Sequence, residues 1–216
     1  ASEKSRRWSL LFSKLVGRMI GRISVVASCA VFMSVSAQGE IVTQDIEGGD
    51  KALIVRGTAF SDEEKKALND NTVQELWKTS SSTLDATGIG SFTGAIRVRE
   101  GVYKVEGDTT GAGAAAAKIY VTQGGAFYST AYLRADKEVH IAGTGSGTYT
   151  ALVKNSTAMK LILDDDATVS FVGTWCKFAS SIDMGGHTLT LGFCGDASGG
   201  RSESVWPKSV NVTNPG

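Results

Sequence analysis

Apolar and polar positions alternate in short runs along most of the chain, and small or polar residues interrupt each run. From Val73 onward such runs fall at residues 95–98, 102–105, 118–121, 126–128, 139–142, 161–163, 168–172 and 188–191. Each is three to five residues long, and many end at a glycine or an acid-rich turn. Period-two alternation of this kind predicts strands with one buried face. No 3.6-residue period persists over a long window, so this region is expected to be all-β. One helix signal precedes it. Ser61-Asp62-Glu63-Glu64 has the form of a capping box, the segment from Asp62 to about Asn69 is rich in helix formers, and Asn69-Asp70-Asn71 is expected to stop it after two or three turns. This helix is expected to shield the first exposed rung of a stack. Residues 51–60 hold one strand.

Composition selects among all-β architectures. The 216 residues include 26 glycines and only 2 prolines, a balance suited to tight turns between strands and unlike collagen or a proline-rich linker. Long hairpin-linked strands with Asn-Gly turns would indicate a sandwich, and the stretch contains no Asn-Gly. Short strands, each followed by a small-residue corner, suit a β-solenoid in which every coil adds one rung.

The formal net charge is zero, but it is split. Residues 1–37 carry Lys4, Arg6, Arg7, Lys14, Arg18 and Arg22 against Glu3, giving +5, and the remainder sums to −5. A mildly acidic body has no electrostatic footprint for nucleic acid. The basic end is followed by an uncharged, mostly apolar run at 23–37 that closes on Val35-Ser36-Ala37. A basic segment, a short apolar core and a small-x-small exit form the pattern of a secretory signal peptide, with cleavage expected before Gln38. The run is shorter than the roughly 20 residues of a spanning helix. The expected organisation is a signal peptide at 1–37, a strand and helix cap region at 38–75, and a repeat region at 76–216. Cys29 falls in the leader, so Cys176 and Cys194 remain as an even pair in an exported chain.

Residues 76–107 read LWKTSSSTLDATGIGSFTGAIRVREGVYKVEG. This segment resembles the autotransporter-associated β-strand repeat. Leu76, Lys78 and Leu84 match its first half. Phe92, Thr93 and Gly94 stand at its turn, Ile96 and Val98 on its next strand, and Gly101 at its corner; Tyr103 replaces the usual leucine. Ser80 and Ser82 depart from it, standing where glycines are usual. Residues 141–147, 151–153, 161–169 and 182–191 are similar to strands found between such repeats. The resemblance implies a right-handed parallel β-helix, exported and surface-located, and normally part of a longer passenger. It implies surface glycans or neighbouring cell surfaces as partners, and a membrane link only through a C-terminal translocator beyond this chain. In such a stack Ile96 and Val98 point inward and Arg97 and Arg99 stay solvated. Cys176 and Cys194, 18 apart in sequence, would lie on adjacent rungs within disulfide reach.

Candidate chemistry is sparse, and the sequence assigns no catalytic, cofactor-binding or metal-ligating residue. His140 and His187 are the only histidines, and neither accompanies a serine or cysteine in an elbow-like context. Asp164-Asp165-Asp166 offers oxygen ligands for Ca²⁺, but strand alternation would send Asp165 away from its neighbours, leaving a solvated turn as the expectation. Residues 111–117 are rich in small residues but lack the following Lys-Ser/Thr pair and the helix of a phosphate loop. Phe127, Tyr128 and Tyr132 form either a carbohydrate-contact face or core packing, with core packing favoured. The expected role is non-catalytic display, extension or adhesion. A pectin-lyase-type polysaccharide enzyme and a carbohydrate-binding module are the alternatives.

Overall fold

A computed structural model describes residues 41–154, 159–171, 181–193 and 212–213. The proposed leader and the pair Cys176 and Cys194 lie outside the described residues. The strands are β1 (Thr43–Asp45), β2 (Lys51–Val55), β3 (Glu75–Asp85), β4 (Ala95–Val105), β5 (Ile119–Val121) and β6 (Gly125–Ser129). They continue with β7 (Glu138–Gly143), β8 (Leu152–Lys154), β9 (Lys160–Phe171), β10 (Ser181–Asp183), β11 (Leu189–Phe193) and β12 (Val212–Thr213). Among the described residues one short α-helix, α1 (Asp62–Asn69), lies between β2 and β3.

Among the described strands every pairing from β2 onward is parallel, and together they build a β-solenoid of about 6 turns, a parallel β-helix. Two sheet faces run along it. One stacks β2, the first half of β3, the first half of β4, β5, β7, the first half of β9, β10 and β12. The other stacks the second halves of β3 and β4 with β6, β8, the second half of β9 and β11.

Register turns scattered apolar residues into columns. Leu53, Leu76, Ile96, Ile119, Val139, Leu161 and Ile182 are successive partners on the first face, and all are fully buried. Leu84, Tyr103, Phe127, Leu152, Val169 and Leu191 form the matching column on the second. Each coil alone would leave its apolar side wet, and burial at roughly 25 cal/mol per Å² comes from the coil above and below. Tyr103 fits because its hydroxyl donates to Gly111 O at 2.7 Å; burial pushes its ionisation well above the usual tyrosine range.

Several strands, such as β5, β6 and β11, have the expected three to five residues, but others are longer. The runs at 95–98 and 102–105 belong to one eleven-residue strand, β4, and 161–163 and 168–172 fall within the twelve-residue β9 up to Phe171. The chain bends at each corner without losing its ladder. Gly101 makes the bend in β4 at φ +73°, and its N–H donates to Gly124 O at 3.2 Å. A Cβ there would lie 2.2 Å from Ser80 O and 2.5 Å from Ser82 O.

The helix is where the capping box put it. Ser61 Oγ accepts from Glu64 N–H at 3.1 Å, and Glu64 Oε2 accepts from Ser61 N–H at 2.8 Å. It buries Ala67 and Leu68. At the start of the stack β1 runs antiparallel along β2. An antiparallel edge strand satisfies the ladder groups that a parallel stack would leave open. The helix lies within the first coil, and the asparagines that end it clasp the next. Asn69 bonds Gly88 O (2.8 Å) and Ser91 N (3.1 Å), and Asn71, at φ +52°, bonds Ser91 O (3.1 Å) and Thr93 N (2.9 Å).

Two glycine substitutions separate close contact from backbone preference. Gly107 also has positive φ (+71°), but a Cβ there meets nothing within 4 Å. Gly107→Ala is expected to cost about 1–2 kcal/mol from backbone strain alone. Gly101→Ala adds the clash with two carbonyls and is expected to cost about 3 kcal/mol or more. Urea unfolding followed by circular dichroism checks this; equal midpoints for the two variants would refute the corner geometry.

Candidate functional site

Three groups of chemically capable side chains lie outside the apolar columns. The first is the outward side of the first sheet face. Parallel register aligns Trp77, Arg97, Tyr120, His140 and Ile162 in one outward column. The expectation of solvated arginines holds for Arg99, which is exposed, and is corrected for Arg97, which is half-buried. Arg97 grips Glu75 through Nε (2.9 Å to each carboxylate oxygen) and Nη2 (2.7 Å), and its guanidinium lies 4.7 Å from the Tyr120 ring centroid. Arg99 covers the Trp77 ring at 3.5 Å. Tyr120 stacks on His140 at 4.4 Å between ring centroids. The Arg97 guanidinium holds the Glu75 carboxyl below the usual range, against the opposing effect of burial.

A charged row runs alongside. Glu138 receives Lys118 at 2.8 Å and Lys160 at 3.0 Å. These two hydrogen-bonded ammonium groups hold its carboxyl down at about 2. The acids pair with bases here because residues twenty or more positions apart become neighbours one rung away.

The second group is the acid triplet. Asp164, Asp165 and Asp166 lie inside β9 at its corner rather than in a separate turn, where the pairing with β7 shifts register between Ile141 and Gly143. All three are exposed. Simple alternation fails at this bulge. Asp164 Oδ1 bonds His140 Nδ1 from the preceding coil at 2.9 Å. Asp165 Oδ1 lies 3.8 Å from His187 Nδ1 of the following coil. Both histidines of the chain thus meet the triplet, one from each side. Asp165, Asp166 and His187 bring a ligand atom each within 4.8 Å of one another, but Asp164 is turned to His140. An imidazole with two carboxylates suits a transition metal better than Ca²⁺, which takes oxygen ligands. The same oxygens already serve the corner: Asp166 Oδ1 accepts from Thr188 N–H at 2.6 Å, and Asp165 Oδ1 from Asp166 N–H at 2.8 Å.

The third group is a cleft of about 240 Å³ on the loop side, between the connections that follow β4 and β6. Thr110, Ala114, Tyr132, Arg134, Asp136 and Lys137 contribute to its walls. Of the three aromatics singled out by sequence, Phe127 is fully buried in the core, and Tyr128 is half-buried with its ring edge-on to Tyr149. Tyr132 is 54% exposed at this cleft. Lys137 and Arg134 drew no attention in the sequence; a lysine and an arginine in a polar loop look like ordinary surface charge. Residues 111–117 form a loop as expected, following on a 3-10 turn at Thr109–Ala112, and residues 112–115 line the cleft.

Comparison of the chain with protein-family models, with curated proteins and with solved structures finds no match.

The depressed Glu138 pKa gives a signed pH dependence. Its folded value, about 2, lies below the ordinary 4.5. Its stabilising contribution is therefore complete above about pH 4.5 and is lost as pH falls towards 2. Glu138→Gln is expected to lower stability at pH 7 and to flatten the acid limb between pH 5 and 2. Urea midpoints measured across that range decide it; parallel profiles for the two proteins would show that Glu138 is not clamped by Lys118 and Lys160.

Proposed function

We propose that this chain is an exported, non-catalytic β-helix segment that serves display, extension or adhesion at a cell surface. The observation that carries this reading is the way outward side chains are used on the first sheet face. Glu75 with Arg97, Arg99 with Trp77, Tyr120 with His140 and Glu138 with Lys118 and Lys160 are matched from rung to rung. Groups that could bind or turn over a substrate are committed to holding one coil on the next. Such a surface suits a protein whose task is to stay extended and keep its stack intact. The leader-like pattern at 1–37 and the repeat-like residues at 76–107 support an exported setting, and fold alone would leave the role open.

Expression of the full chain in a Gram-negative host tests both halves. The exported fraction is expected to begin at Gln38 by mass spectrometry and to yield no new reducing or unsaturated ends from pectin-like polysaccharides. An uncleaved chain confined to the cytoplasm would remove export from the reading. Sustained release of oligosaccharides would replace display by catalysis.

A further inference from the structure

Lys137 sits unusually for a surface lysine. It is only 3% exposed, and its Nζ donates one hydrogen bond, to Ala114 O at 2.8 Å. Among the described residues it forms no ion pair. A buried ammonium with one neutral acceptor has lost most of its hydration without a carboxylate in contact, which is costly unless a further partner arrives. Both Lys137 and Ala114 line the 240 Å³ cleft, so that partner has a place to bind.

We propose that this cleft binds an acidic sugar, with its carboxylate held by Lys137 and Arg134 and its ring lying against Tyr132. The charge balance favours an anion, since Arg134 and Lys137 face a single carboxylate, Asp136. Asp136 is spent loosely on Arg134, Nε to Oδ1 at 3.6 Å with both side chains largely in water, and such a contact yields readily to a better-placed anion. Arg134 offers a planar fork matched to a carboxylate, whereas Lys137 acts as a point charge. The exposed Tyr132 supplies an apolar face with a polar tip at the same cleft. The volume falls below the range of about 300–1,000 Å³ for drug-sized ligands and suits a single sugar ring. Thr110 is not a ligand group in this scheme, because its hydroxyl is taken by Asp108 and Gly88.

Desolvation lowers Lys137 to about 8, opposed by the nearby Asp136. The amine is thus largely protonated at neutral pH and titrates just above it. The inference goes beyond the display role and stands apart from it, because the cleft binds in the purified chain whether or not the chain is exported.

Titration of the purified full chain with glucuronate, glucose and acetate, followed by ligand-observed NMR, tests it. Glucuronate is expected to bind saturably, more tightly than either control, and more weakly at pH 9 than at pH 7. Lys137→Met and Arg134→Ala are expected to weaken it about tenfold or more, as for loss of a charged hydrogen bond. Tyr132→Ala is expected to weaken glucuronate and leave acetate unchanged. Arg134 and Tyr132 are exposed, so their variants keep the fold, which a melting curve verifies. No saturable binding at tens of millimolar glucuronate would overturn the proposal. So would acetate or glucose binding equally well, or wild-type affinity in both cation variants.

Discussion

Parallel register is the constraint on which the whole structure depends. Once Leu53 is set opposite Leu76 and Leu76 opposite Ile96, every later coil must place an apolar side chain at the same point, about 4.8 Å further along. A parallel stack offers no hairpin to fix that register, so side chains and corners must do it. The inward columns supply the burial. The corners supply the phase: Ser80 Oγ and Ser82 Oγ reach back to Arg56 O at 2.9 and 3.3 Å, and Gly101 sits directly against the carbonyls of Ser80 and Ser82. A slip by one residue would turn each inward set to solvent and drive a side chain into the corner now held by glycine.

The same register acts on the outward side. Residues one rung apart stand nearly in contact, so like charges would repeat up the stack unless the sequence alternates them. Lys118, Glu138 and Lys160 alternate sign, and Glu75 sits diagonally from Arg97. Exposed pairs are individually weak. Their effect here is cumulative and negative as much as positive, since each removes a repulsion that the register would impose. The stacked Tyr120 and His140, and Trp77 under Arg99, extend the match to aromatic and cationic faces.

Much of this fold was legible in the sequence because its determinants are local. Period-two runs marked the strands, Ser61 and Glu64 marked the helix start, and Gly101 marked a corner. Strand length was not legible, because whether two short runs fuse into β4 or β9 depends on ladder bonds to the neighbouring coils. Charge pairing was hidden for the same reason: Arg97 looks solvated beside Val98, and only the rung below brings Glu75 to it. The acid triplet was misread by applying strict alternation across a bulge. In the cleft, Tyr132 was visible as an aromatic but indistinguishable from the core residue Phe127 five positions earlier. Lys137 was invisible, since its burial is created by the loop of the preceding coil.

Two buried lysines show how far the stack provides for its own polar groups. Lys78 occupies an inward position between Val55 and Val98, in a column continued by Val121, Ile141 and Leu163, and it is fully buried. Its chain fills the aliphatic slot while its Nζ reaches the corner, bonding the Ser80 carbonyl, Ser80 Oγ at 2.9 Å and Glu100 O at 3.3 Å. Ser80 thus helps to accommodate a cation in the core, with Ser82 Oγ 2.9 Å from its hydroxyl. Burial still lowers its pKa, opposed by Glu100, but all three donors have an acceptor available. Among the described residues Lys137 has one acceptor, Ala114 O, and it lines a cleft instead of a corner. A solenoid repeats its own solutions from rung to rung. A buried cation left incompletely satisfied beside open space departs from that economy, and the departure falls where Tyr132 and Arg134 also break the otherwise self-matched surface.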